Sequence, residues 1–339
     1  MFYSMRRKVK LMLKSSLNNK KTMLILAILS AMLGALLCVA SEFCLPILAA
    51  VLAVLYFYDS SSSRSLSCGI SILVLLVNIA SCILSGGYSF VLALEAVLLA
   101  AAITVCYSKG ATKASTVLYT TVIASVFIVL SFASIPMIAE RAISLDAVKD
   151  FYDALYATLK QSFVALLSDV YANVDIGGTE ISISTEEIEL AFDRVAYMLI
   201  SIVIIFGLAI AGITLKIFSA FVSRLDSEPL KVSEWKFEVP VLYAYFFMAL
   251  SLINIFTVSS MSVFALSMSN LYNVFLCVYA YVGIKMMYNR FSEKHSKFVV
   301  RLVIFAIILL AFSFAVQIFA LIGVFYSIYQ NKIQKLGSN

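Results

Sequence analysis

Apolar residues run through this chain in long unbroken stretches, interrupted by short polar links, and the stretches have the length of membrane-crossing helices. A spanning helix needs roughly 20 mainly apolar residues. The first such run, residues 22–40, carries no charge, and the link Ser41, Glu42, Phe43, Cys44 separates it from a second at 43–58. Pro46 falls near the start of that second run, where proline is tolerated best. Further spans are predicted at 67–85, 88–107 and 115–138, separated by an SGGY turn and a KGATK turn.

The pattern changes at 139–194, which contains eleven acidic residues between Glu140 and Asp193 and no window apolar enough to span. Val148, Phe151, Tyr152, Leu155, Leu159, Phe163, Leu166, Leu167 and Val170 recur there at three- and four-residue steps. That spacing predicts an amphipathic helix, either lying on the membrane surface or capping the helix bundle. The sequence NVDIGG ends it. Ser184, followed three residues later by Glu187, has the form of a capping box that starts a helix leading into the apolar run 195–222. A polar segment at 223–239 holds the only tryptophan, Trp235, and spans follow at 240–259, 263–287 and 299–329. The last is longer than a bilayer core requires, so it is one tilted helix or two short ones folded around Phe314 to Gln317.

The expectation is therefore an all-α polytopic bundle of about nine spans, within a range of eight to ten. Five spans lie at 22–138 and about four at 195–331, with an acidic extracytoplasmic insert at 139–194 between them. A basic segment (1–21) precedes the bundle and a polar tail (332–339) follows it. Composition agrees, with 63% hydrophobic and 13% charged residues, 25 Phe and 18 Tyr. The net charge of +6 is split among short links, which argues for membrane orientation and against nucleic-acid binding. Lys and Arg favour the cytoplasmic side. Seven basic residues precede the first span, so the N-terminus is expected in the cytoplasm of a bacterial cell, with the chain in its plasma membrane.

Candidate chemistry is sparse. Six cysteines sit in or beside apolar runs without metal-ligand spacing and read as small hydrophobes. The single histidine, His295, lies in the basic link EKHSK without a second one nearby, and no metal or cofactor site is expected. Glu95 is the one carboxylate well inside a span, where a charge costs about 2.5–3.5 kcal/mol on insertion scales and must face protein or water. It lies about 10 Å from the end of its helix, level with Asn78 on the preceding antiparallel helix. Asn254, Asn270, Asn273 and Gln317 occupy the outer half of later spans on the same bookkeeping. Two readings stay open: an outward-facing polar cavity for a small solute, or interhelical amide bonds that hold the bundle together, with Glu95 simply protonated in a dry environment. General acid–base catalysis needs a second positioned titratable group beside Glu95, so no enzyme activity is expected. Gly207 and Ala211 have the spacing of a close helix contact.

The stretch SEWKFEVPVLYAYFFMALSLI, with Trp235, Phe237 and Pro240 entering a span, precedes a final span ending FALIGVFYSIYQNK. Together they resemble the C-terminal pattern of the YybS-like family of bacterial membrane proteins, a family without an established function. Such families are also similar, in the hydropathy of their first five or six helices, to the substrate-binding membrane components of energy-coupling-factor vitamin transporters. The resemblance implies a solute-binding transporter component that relies on a partner ATPase, because the chain has no phosphate-binding loop. The alternative is a membrane scaffold or assembly factor for envelope or division machinery.

Overall fold

A computed structural model of the chain describes residues 2–59, 65–139, 144–172, 175–176, 179–180, 184–225, 239–257 and 260–337. The polar segment with Trp235 and Phe237 and the Arg64 link lie outside these described residues. The helices are α1 (Phe2–Asp59), α2 (Ser65–Ser85), α3 (Ser89–Ser108), α4 (Lys113–Ala139), α5 (Leu145–Ala172), α6 (Thr185–Tyr197) and α7 (Leu199–Leu225). After them come α8 (Val241–Thr257), α9 (Val263–Ser292), α10 (Lys297–Leu310) and α11 (Phe312–Gly337). Between α5 and α6 a two-residue antiparallel ladder pairs Asp175 with Glu180 and Ile176 with Thr179. Six helical segments are long and apolar enough to cross a membrane, and three shorter apolar ones, Phe43–Tyr58, Val241–Thr257 and Phe314–Gln330, bring the total among the described residues to nine.

The link at Ser41 and Glu42, expected to separate two spans, is helical, so that Phe2–Asp59 is one continuous element. Contacts with α2 show that this element is sharply bent. Asn78 bonds the carbonyl of Gly34, while the Tyr56 hydroxyl bonds Ser71 at 2.5 Å. Gly34 and Tyr56 would stand about 33 Å apart on a straight helix, whereas Ser71 and Asn78 are about 10 Å apart. The side chains involved are too short to make up the difference, so the chain turns back between Gly34 and Tyr56 and its two apolar stretches act as two limbs. Pro46, inside the helix, lies in this interval and removes one rung of the hydrogen-bond ladder.

The chain divides into two compact units, one of residues 1–155 with 206–237 and the other of 156–205 with 238–339. In the first, every residue from Leu48 to Leu55 is fully buried. A helix covered on all sides for more than two turns is the centre of its bundle, and α3 packs directly along it through Leu92, Ala96, Leu99 and Ile103. Leu215, Phe218 and Val222 of α7 join this core, so α7 completes a group of helices begun by the front half. Gly207 lets α7 approach α4: a side chain there would run into Ser125 and the Thr121 carbonyl, and Ala211 one turn on is fully buried.

The second unit has its own core, built from Phe247, Tyr279, Val300, Phe319 and Val324 with their neighbours. Phe247 stacks between Tyr272 and Tyr279, with ring centroids 5.6 and 5.2 Å away. The last apolar run is two helices, and they divide at Ala311 (φ −137, ψ 45), a little before the expected Phe314 to Gln317. The Ala311 N–H still donates to Ile307 and its carbonyl still accepts from Ala315, which keeps one bond to each helix at the break. Two glycines set the contact between α9 and α11. A β-carbon at Gly283 would collide with the Phe319 carbonyl, and one at Gly323 with that of Tyr279. Gly283→Ala should therefore destabilise the protein by about 1–3 kcal/mol through overpacking, read as a lower midpoint of thermal unfolding in detergent. Gly212→Ala, with open space around it, should leave that midpoint unchanged or raise it slightly.

Candidate functional site

The six candidate polar residues divide between the two units: Asn78 and Glu95 in the first, Asn254, Asn270, Asn273 and Gln317 in the second. Asn78 is fully buried on α2. Its amide nitrogen donates to the Gly34 carbonyl at 2.9 Å and to the Val74 carbonyl at 2.8 Å, and its oxygen accepts from the Cys38 thiol at 3.4 Å. A primary amide has two N–H groups, so both are used on α1 and on its own helix. The start of α3 is tied to the same point, because the Ser89 hydroxyl donates to the Asn78 backbone carbonyl at 3.4 Å. Close approach of α1 is possible because residue 34 is glycine, with Val74 methyls where a β-carbon would stand.

Glu95 is 1% exposed. It lies on the buried face of α3 with Leu92, Ala96 and Leu99, on the helix that packs against α1, α2 and α4. The sequence placed it inside a span, and the structure encloses it in protein.

In the second unit Asn270 repairs a broken helix. In a continuous helix the Ser201 N–H would donate to the Tyr197 carbonyl, but α6 ends at Tyr197 and α7 starts at Leu199. The Asn270 side chain fills both vacancies: its oxygen accepts from Ser201 N–H at 3.1 Å, and its nitrogen donates to Tyr197 O at 3.0 Å and to Leu266 O on its own helix at 3.0 Å. An amide suits this place because it offers the same donor and acceptor as a peptide group. Asn254 and Asn273 are half-buried on α8 and α9, and Asn254 Oδ1 is sealed from solvent with no hydrogen-bond partner among the described residues. Gln317 stands apart from these asparagines in being exposed on α11. Of the six, Asn78 and Asn270 are thus tied into separate local contacts.

A polar cluster that the sequence reading did not pick out lies between α5 and α6. Lys160 Nζ sits 3.1 Å from both Glu189 Oε2 and Asp193 Oδ1, and the Tyr156 hydroxyl donates to Asp193 Oδ1. Phe192 packs beside Tyr156 and Phe163 at 5.4 and 5.3 Å. The i, i+4 spacing of Tyr156 with Lys160 and of Glu189 with Asp193 was visible, yet nothing local said that the two helices face each other. The capping box that begins α6 is formed as expected, with Glu187 N–H to Ser184 Oγ at 3.2 Å and Ser184 N–H to Glu187 Oε2 at 3.0 Å. Hydrogen bonding to Tyr156, with help from Lys160, holds the Asp193 carboxyl below its ordinary range. Hydrogen bonds to Asp193 and Glu189 raise Lys160.

Apolar helices of spanning length, polar side chains spent on backbone groups between helices, and a carboxylate enclosed within the bundle define a polytopic helical membrane protein. A family model described as "Predicted membrane protein (DUF2232)" matches residues 22–325, and the chain belongs to that family. No curated protein and no solved structure matches it.

Two outcomes are expected from these geometries. Asn270→Leu should strip the Ser201 N–H and the Tyr197 carbonyl of their partners, at about 1–3 kcal/mol for a buried group left unsatisfied, seen as a lower unfolding midpoint. The α5–α6 pairing should depend on pH at both ends. Because Asp193 is lowered, its contribution is present above the ordinary carboxylate value of about 4 and is lost as pH falls through the lowered one. Because Lys160 is raised, its contribution is present below about 10.4 and is lost as pH rises through the raised value. The mobility of a spin label on α6 should increase at both extremes in the wild type, and Asp193→Asn should remove the acid-side change.

Proposed function

We propose that this protein is a small-solute-binding component of a bacterial membrane transporter, working without an ATPase of its own, and that its first unit is the binding part. One observation carries the reading: five apolar segments, from Lys21–Val39 to the main part of α7, gather around a sixth that is wholly enclosed over Leu48 to Leu55, and the unit holds a carboxylate that is 1% exposed. The hydropathy of the first five or six helices, which resembles that of substrate-binding components of energy-coupling-factor transporters, is in keeping with the same reading. Glu95 is then the group that selects the solute, reached when the helices around α3 separate, and a membrane ATPase partner supplies the energy. Asn78 serves beside it as the tie that keeps α1, α2 and α3 in register. The charge of the first 21 residues supports a cytoplasmic N-terminus in a bacterial plasma membrane.

A second reading, a scaffold that organises envelope or division machinery, is favoured by the amides. Asn78 and Asn270 give both of their amide protons to main-chain carbonyls, which is what interhelical ties do. Thermal unfolding of the detergent-purified protein across a metabolite library separates the two. A ligand at 100 times its Kd adds about 2.7 kcal/mol, so a solute of the first unit should raise the midpoint of the wild type and fail to raise that of Glu95→Gln. A library without a hit, together with a Glu95→Gln variant as stable as the wild type, would remove the solute reading and leave the scaffold.

A further inference from the structure

We infer that the first half of α5, Leu145 to Leu155, is a lipid-facing helix: its apolar stripe rests in the boundary of the bilayer beside the end of α4, and Tyr152 anchors it there. The anchor begins with a defect in α4. Pro136 lies inside that helix and has no N–H, so the carbonyl of Phe132 one turn earlier lacks its helical donor. The Tyr152 hydroxyl donates to this carbonyl at 2.6 Å. Phe132 lies in the last two turns of an apolar helix and is 53% exposed, with Ile135 exposed beside it. Tyr152 can reach it only if α5, after the short link from Ala139, folds back along the lipid-facing end of α4.

The rest of this half-helix is built for such a place. Leu145, Val148, Phe151 and Leu155 share the side that carries Tyr152, and Leu145, Phe151 and Leu155 are exposed. Asp146, Asp150 and Asp153 fall on the opposite side. The apolar surface of α4 and this stripe are thus continuous, and the occupant that continues the surface around α4 is acyl chain. The acidic side gives no attraction to anionic headgroups, so the contact rests on apolar burial and should not depend on lipid charge.

The test is depth-dependent quenching by brominated phosphatidylcholine in the full chain reconstituted into vesicles, with Trp235→Phe removing the only native tryptophan. Leu155→Trp, and the more conservative Phe151→Trp should the first fail to fold, are expected to be quenched several-fold more than Asp153→Trp. Adding phosphatidylglycerol should leave the difference unchanged. Tyr152→Phe should reduce the quenching at position 155, because the carbonyl of Phe132 then has nothing to hold α5 by. Equal quenching at 153 and 155 would overturn the inference, as would absence of quenching at 151 and 155, whether iodide reaches those positions (a helix in water) or not (a face covered by protein).

Discussion

Inside hydrocarbon no water is present to complete a hydrogen bond, so each peptide group of a spanning helix must find its partner within the protein. The fold follows from how this chain meets that requirement where its own helices fail to. At Pro136 the ladder of α4 loses a donor, and a tyrosine from α5 supplies one. At Met198 the ladder between α6 and α7 opens, and the amide of Asn270 supplies both a donor and an acceptor. In each case the repair fixes where a neighbouring helix sits. A local defect in one element thereby becomes a tertiary contact, and the side chain that mends it is committed to that task.

Attraction between the helices has to come from close packing, since lipid chains are as apolar as the side chains they would replace. Glycines allow close approach at three such places: Gly34 against Val74, Gly207 against Ser125, and Gly283 with Gly323, where backbones meet directly. Around these points the larger side chains arrange themselves by size. The stacked Tyr272, Phe247 and Tyr279 belong to the α8–α9 contact and lie in the same core as Phe319. The enclosed limb from Leu48 to Leu55 intersperses three alanines among its leucines and valines, so α3 can lie close along it and the Thr104 hydroxyl can reach the Ala53 carbonyl at 3.2 Å.

What was legible in the sequence was what a single helix decides for itself. The helical character of the apolar runs, the amphipathic period of α5 and the Ser184 to Glu187 cap depend on neighbours three or four residues away, and these appear as read, though the ends of some runs do not. The membership of the two units was not legible, because α7 follows the acidic insert in sequence but fills the first core through Phe218 and its neighbours. The turning back of α1 was foreseen as two spans, while the helical continuity through Ser41 and Glu42 was not, since a polar pair between apolar runs reads as a link. The break at Ala311 carries no glycine or proline to announce it. The partners of the asparagines were hidden for a further reason: an amide in a span signals that something polar is opposite, and that something was main chain, which every sequence position offers equally.

This difference bears on how far the polar residues inform on function. An asparagine whose two N–H groups already serve carbonyls can bind a solute only by giving up those bonds, and the helix contact would loosen with them. Asn78 and Asn270 are therefore held to structure by what they repair or join. An ionised carboxylate accepts hydrogen bonds and donates none, whereas a protonated one also donates, so Glu95 can serve a main-chain carbonyl, as the amides and Tyr152 do, only in its neutral form. A scaffold could use glutamine there at lower cost to insertion. What the structure adds for residue 95 is its enclosure: at 1% exposure, it stands in a position that only motion of the surrounding helices would open.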